Sequence, residues 1–133
     1  MTQSKPLFLP LSKILELHER QIQLYGGEPS IRDMGLLESA VAMPISGFGD
    51  YYLHAFPFEM AAAYLYHIVQ NHPFVDGNKR TGAVASLVFL KMHGIEIDMP
   101  EDIFEQFVWS VATGQVLKPE IAAFLEKYSR PSS

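Results

Sequence analysis

Two helix-like runs, "PFEMAAAYLYHIVQN" at 57–71 and "NKRTGAVASLVFLKMH" at 78–93, are separated by only the six residues 72–77. This pair constrains the fold more than any other feature. The first run is strongly helical and largely apolar, and Pro57 suits its first turn. The second is apolar almost all round from Ala83 to Leu90, with small residues at Gly82, Ala83, Ala85 and Ser86. Such a helix is expected at the centre of a bundle, with neighbours approaching closely on its small side. The rest of the chain supplies more helices. Ser12 is placed to cap one over about 12–25, with Ile14, Leu15, Leu17, Ile22 and Tyr25 on or near one face, ended by Gly26 and Gly27. Asp33 is a good cap for a short helix through Leu36, Leu37 and Val41, stopped by Pro44. Residues 45–56, "ISGFGDYYLHAF", lack helical spacing and read as a loop or small hairpin flap. After Gly94, "IEI" at 95–97 is a short extended piece. Asp98 and Pro100 open a helix carrying Phe104, Phe107, Val108 and Val111, and Pro119 opens the last, carrying Ile121, Ala122, Leu125 and Tyr128. The expectation is an all-α fold, a compact bundle of about six helices with a short flap before the central pair, forming one domain over 1–133.

Composition narrows the function. With 48% apolar and 19% charged residues, the 133-residue chain is globular in composition and long enough for a real core. Ten basic against 15 acidic residues give a net charge of −5, which argues against direct nucleic-acid binding. The absence of cysteine excludes disulfides and thiolate metal sites. The N-terminal apolar run is broken and too weak for a signal peptide, and no segment approaches the roughly 20 apolar residues of a membrane span. A soluble, cytoplasmic protein without a membrane partner is expected.

The chemistry is concentrated between the two central runs, in "HPFVDGNKRTG" at 72–82. Gly77 permits the backbone conformations of a tight turn. The free N–H groups that open the following helix, from about Gly77 to Arg80, favour an anion. Lys79 and Arg80 add two positive charges where the helix dipole is already positive, which implies that an anion is expected there. Arg can grip two phosphate oxygens with its fork, and Lys supplies a compact charge. Asp76 is a suitable Mg²⁺ ligand beside phosphate, and His72 is a candidate general base for a hydroxyl nucleophile. Pro73 and Phe74 read as structural, with Phe74 plugging into the core. Together these residues describe transfer of a phosphate-containing group to an acceptor hydroxyl.

Each residue taken singly has a blander reading. A histidine before proline is more often a surface or cap residue, Asp76–Gly77 is a common turn, and Lys79–Arg80 would usually be a solvated pair. His18, His54, His67 and His93 show no ligand-like spacing among themselves. The conjunction carries the signal.

That conjunction, "HPFVDGNKR", resembles the signature of the Fic superfamily, and Lys79 in place of a glycine is similar to the death-on-curing (Doc) branch. The likeness extends to "LHERQIQLYGGEPSIRDMGLLESAVAMP", "FLKMHGIEI" and "VATGQ", and so to nearly the whole chain. It implies a helical protein that transfers part of a nucleotide to a hydroxyl side chain of another protein. For the Doc branch it implies a toxin using Mg²⁺ and ATP, with phosphoryl transfer to a translation factor and silencing by a small antitoxin. Carried over by position, His72 would be the base, Asp76 the Mg²⁺ ligand, Gly77 and Asn78 the anion hole, and Lys79 and Arg80 the phosphate holders. The segment 45–56 would be the flap that aligns the target chain. Two departures matter. AMP-transferring members carry a second arginine where this chain has Ala83, and Val84 beside it is also apolar. Ser12-Lys-Ile-Leu-Glu16 has the spacing of an inhibitory helix but is followed by Leu17. The alternatives are nucleotidyl (AMP) transfer, a non-catalytic nucleotide- or anion-binding regulatory module, and a DNA-binding helical domain.

Overall fold

A computed structural model describes residues 5–132; residues 1–4 and 133, the ends of the expected domain, lie outside the described residues. Six helices run in the order α1 (Leu11–Tyr25), α2 (Met34–Ala42), α3 (Phe58–Asn71), α4 (Asn78–Met92), α5 (Glu101–Ala112) and α6 (Lys118–Lys127). Two small antiparallel ladders complete the fold. Strands β1 (Gly47–Phe48) and β2 (Tyr51–Tyr52) form a hairpin between α2 and α3, with Gly47 opposite Tyr52 and Phe48 opposite Tyr51. Strand β3 (Ile95–Ile97) pairs with β4 (Ser129–Pro131), so the segment after α6 returns to the end of α4. This is the all-α bundle with a flap expected from the sequence.

The centre is shared by α3 and α4, and α3 is the more enclosed. It packs against α2, α4, α5 and α6, and every residue from Met60 to Leu65 is fully buried. Its run Ala61–Ala62–Ala63 presents little side-chain bulk, so neighbours can approach from several sides at once. Helix α4 buries Thr81, Gly82, Ala85, Ser86, Phe89 and Leu90, while Ala83, Val84, Leu87 and Val88 are half-buried. Gly82 is where the two helices come closest: a Cβ there would lie 2.9 Å from Val69 Cγ2 and 3.2 Å from the Leu65 carbonyl oxygen. The all-round apolar pattern of α4 therefore overstated its enclosure, because its outer face is covered only in part.

Two local expectations are revised. Ser12 does not cap α1; Pro10 occupies the cap, and its carbonyl accepts from Lys13 N and Ile14 N at 3.0 and 3.1 Å. The buried positions of α1 are Ile14, His18 and Gln21, so two of its three buried residues are polar. The β3–β4 pairing has no local signature, because its strands are separated by two helices. Asp33, by contrast, caps α2 by accepting from Leu36 N at 2.9 Å. The Tyr64 hydroxyl accepts from Leu9 N at 2.8 Å and so ties the chain before α1 to α3; burial pushes this phenol up to about 12. Among the described residues no helix is long and apolar enough to cross a membrane.

Candidate active site at the turn between α3 and α4

Helix α3 ends because Pro73 has no N–H to continue it and because His72, the C-cap, turns left-handed at φ 50°, ψ 53°. His72 is the one non-glycine residue with positive φ among the described residues. Such a conformation costs about 1–3 kcal/mol and persists only where its surroundings enforce it. They do so here. Phe74 is fully buried and its ring stacks on that of buried His18, 3.7 Å between centroids and 6° between planes. His18 Nε2 donates to the Asp76 carbonyl at 2.8 Å. Gly77, at φ 84°, starts α4 without a side-chain cap.

Asn78 closes the turn from inside. Its Oδ1 accepts from Phe74 N at 2.9 Å, and its Nδ2 donates to Phe74 O at 2.9 Å. These main-chain partners fix the orientation of the amide. The same Nδ2 lies 3.0 Å from His72 Nδ1 and 3.4 Å from His72 Nε2, so the amide rests against the imidazole. The buried Asn78 side chain is thus a brace, and only its main-chain N–H is available to a phosphate.

A strap from the loop between α1 and α2 holds the turn from outside. Val75 N donates to Ser30 O at 3.0 Å, and Arg32 N and Asp33 N donate to Pro73 O at 2.7 and 3.0 Å. Arg32 adds its side chain: Nε donates to His72 O at 2.6 Å and Nη2 to Asn71 O at 3.0 Å. Glu28 N donates to Asp76 Oδ2 at 2.8 Å. Gly27 makes this approach possible, since a Cβ there would sit 3.0 Å from Asp76 Cβ. The sequence gives His18 no ligand-like spacing and does not single out Arg32. No local signal marks them, because their partners lie 58 and 40 residues away.

The turn therefore brings His72, Asp76, Gly77, Asn78, Lys79 and Arg80 to one place, with Pro73 and Phe74 buried beneath. The first intrahelical bond of α4 comes from Thr81 N to Gly77 O, and no protein acceptor among the described residues takes the N–H of Asn78, Lys79 or Arg80. The first turn of α4 holds no acidic residue. Neither Lys79 nor Arg80 has a carboxylate partner among the described residues; the Arg80 guanidinium lies 4.3 Å over the Tyr25 ring. Converging N–H donors and two unneutralised cations suit a polyphosphate. For the metal, Asp76 keeps Oδ1 uncommitted, and no group of three His, Asp or Glu side chains that could hold an ion occurs among the described residues. One carboxylate fits Mg²⁺, which takes most of its shell from water and phosphate, and does not fit a dedicated protein cage. Ala83, where an arginine would extend the phosphate grip, is half-buried against the core.

A second polar cluster lies elsewhere, at the foot of the flap. Lys118 Nζ, on the first turn of α6, is 3.0 Å from His54 Nε2 and 2.9 Å from His67 Nε2. Burial, and then the Lys118 charge, hold His54 below its ordinary value and push His67 down to about 4. Burial likewise lowers Lys118. A concavity of about 600 Å³ opens beside this cluster, lined by Leu53, Phe56, Glu59 and Glu126 among others. It holds none of the motif residues; at the turn His72, Asp76, Lys79 and Arg80 are exposed.

The Fic/DOC family model matches residues 8–90, which span the strap, the flap and the motif turn. Toxin Doc of Mycolicibacterium smegmatis is 38% identical over 109 residues, covering 79% of this chain and 82% of that protein. Protein kinase doc of Escherichia phage P1 is 30% identical over 116 residues, covering 86% and 90%.

Proposed function

The chain belongs to the Fic/DOC family, and on that premise we propose that it is the toxin of a toxin–antitoxin pair, a transferase that moves the terminal phosphoryl group of ATP to a hydroxyl side chain of a protein. The observation that carries this reading is the anion cradle: three N–H groups without a partner among the described residues, with Lys79 and Arg80 beside them, next to His72. The phosphates lie over the start of α4, where these donors neutralise the charge that spreads over the transferred group. Asp76 would hold a Mg²⁺ ion on the protein side, and such an ion would supply further neutralisation. His72 takes the proton of the acceptor hydroxyl as that oxygen bonds to the terminal phosphorus and the bond from that phosphorus to the leaving ADP breaks. The flap, with Phe48 and Tyr51 almost fully exposed, is the surface that receives the target chain. A translation factor is the target class, and a small protein antitoxin is the inhibitor.

Phosphoryl transfer is preferred over AMP transfer because Lys79 fills the space beside the cradle and Ala83 provides no second grip for a longer phosphate chain. Incubation with bacterial lysate and ATP labelled at either the α or the γ phosphate tests this. Label should enter protein from the γ position alone; entry from the α position would replace the kinase reading with nucleotidyl transfer.

A further inference from the structure

We infer that Arg32 is a positioning residue for His72, acting through the main chain: its guanidinium sets the direction in which the base points. This rests on the assignment of His72 as the base. Three structural features bear on it. His72 is left-handed and precedes a proline, so its own backbone preferences do not hold it in place. The two consecutive carbonyls of Asn71 and His72 both receive the Arg32 fork, at 3.0 and 2.6 Å. Donors locked onto successive carbonyls fix the tilt of both peptide planes, and hence the direction of the Cα–Cβ bond of the residue between them. The flanking segments are held without this side chain. Helix α3 reaches His72 N through Ile68 O, and from Pro73 onward the strap and the Asn78 brace are made by other groups, including Arg32's own N–H. Removing the guanidinium therefore frees the link at His72 and little else. The role is invisible in the motif, because Arg32 lies 40 residues before His72 and contacts only main-chain oxygens.

The test compares Arg32→Ala and Arg32→Lys with the full wild-type chain, using three readouts: melting temperature, the His72 imidazole Cε1–H resonance by NMR, and kcat and KM for ATP in protein phosphorylation. For Arg32→Ala the melting temperature should hardly change and the His72 resonance should move or broaden. The kcat should fall on the order of 10- to 100-fold, since small misplacements of a catalytic group have effects of that size. KM for ATP should stay within about twofold. Arg32→Lys, which can reach one carbonyl but not both, should recover part of kcat. An unmoved His72 resonance in Arg32→Ala would overturn the inference whatever happens to the rate, and so would a loss that appears in KM alone. If Arg32→Ala unfolds, the resonance and kcat of Arg32→Lys decide: wild-type values in both would overturn the inference, and an intermediate shift with reduced kcat would sustain it. The resonance does not depend on the reaction, so a protein that transfers no phosphoryl group would remove the proposed function while this test still gives its answer.

Discussion

Four of the five histidines fall into two pairs, His72 with His18 at the motif turn and His54 with His67 at the foot of the flap, and the pairs differ in what surrounds them. At the turn, His18 is a buried plank under Phe74, and His72 stands exposed above it, touched by a neutral amide and backed by main-chain bonds. Its cations, Lys79 and Arg80, are exposed and have no carboxylate partner among the described residues. At the flap the arrangement is reversed. Lys118 points into the fold toward both imidazoles, and burial, with the Lys118 charge beside them, favours their neutral form. A cation turned toward solvent beside free N–H groups is available to a ligand, whereas one already satisfied by two rings is a fastening between α6, α3 and the flap. Two clusters of the same residue types thus divide into a site and a joint according to whether their polar groups are spent on each other.

The largest effect expected is from His72→Ala. Phosphoryl transfer should drop by about 10²- to 10⁴-fold, the range for loss of a general base, and growth arrest on expression in bacteria should disappear. Thermal unfolding of the same variant should be close to wild type, because the imidazole is exposed. Comparable toxicity from an equally expressed, folded His72→Ala protein would remove the catalytic assignment. Next in size is Arg80→Ala, which should weaken ATP binding by about 1.5–3 kcal/mol if a charge-assisted phosphate contact is lost. Calorimetry measures it, and unchanged affinity in both Arg80→Ala and Asp76→Ala would place the nucleotide elsewhere.

The joint should show itself in pH. The native His67 value of about 4 lies below the free value of 6.5, so between these limits the unfolded chain binds the proton and the folded one does not. Stability should be full above about pH 6.5 and decline as pH falls toward 4, with His54 acting in the same direction. For a half-buried ring the effect is about 1–2 kcal/mol once solvent screening is allowed for. Carboxylates add their own acid sensitivity, so the measurement is a difference: chemical denaturation of wild type and His67→Gln from pH 7.5 to 4.5, in which the variant should lose less. An identical decline in both would mean that the cluster is not the fastening described. The smallest effect is expected from Lys118→Met. Removing the charge relieves both rings and gives up two hydrogen bonds, so net stability should move by about 1 kcal/mol or less. The rate of transfer with ATP saturating should stay within about twofold, because Lys118 belongs to the joint; a large loss there would merge the two regions into one site.

Much of this was legible in the chain itself, and the reason is distance along it. The helices, the Asp33 cap, the hairpin at 47–52 and the turn at 72–77 are each specified by neighbours within a few residues, through apolar period, proline and glycine. The motif residues are contiguous, so a helix–turn–helix with His72, Asp76, Lys79 and Arg80 around it follows from their order. What the sequence could not determine was how that turn is held and which polar residues are spent internally. His18 under Phe74, Glu28 on Asp76, Arg32 on the His72 carbonyl and Lys118 between His54 and His67 join positions 40 to 64 residues apart. Such contacts leave no periodicity to read. They exist because packing α1, α3, α4 and α6 together brings hydrogen-bonding groups out of water and obliges them to find partners wherever the fold has put them.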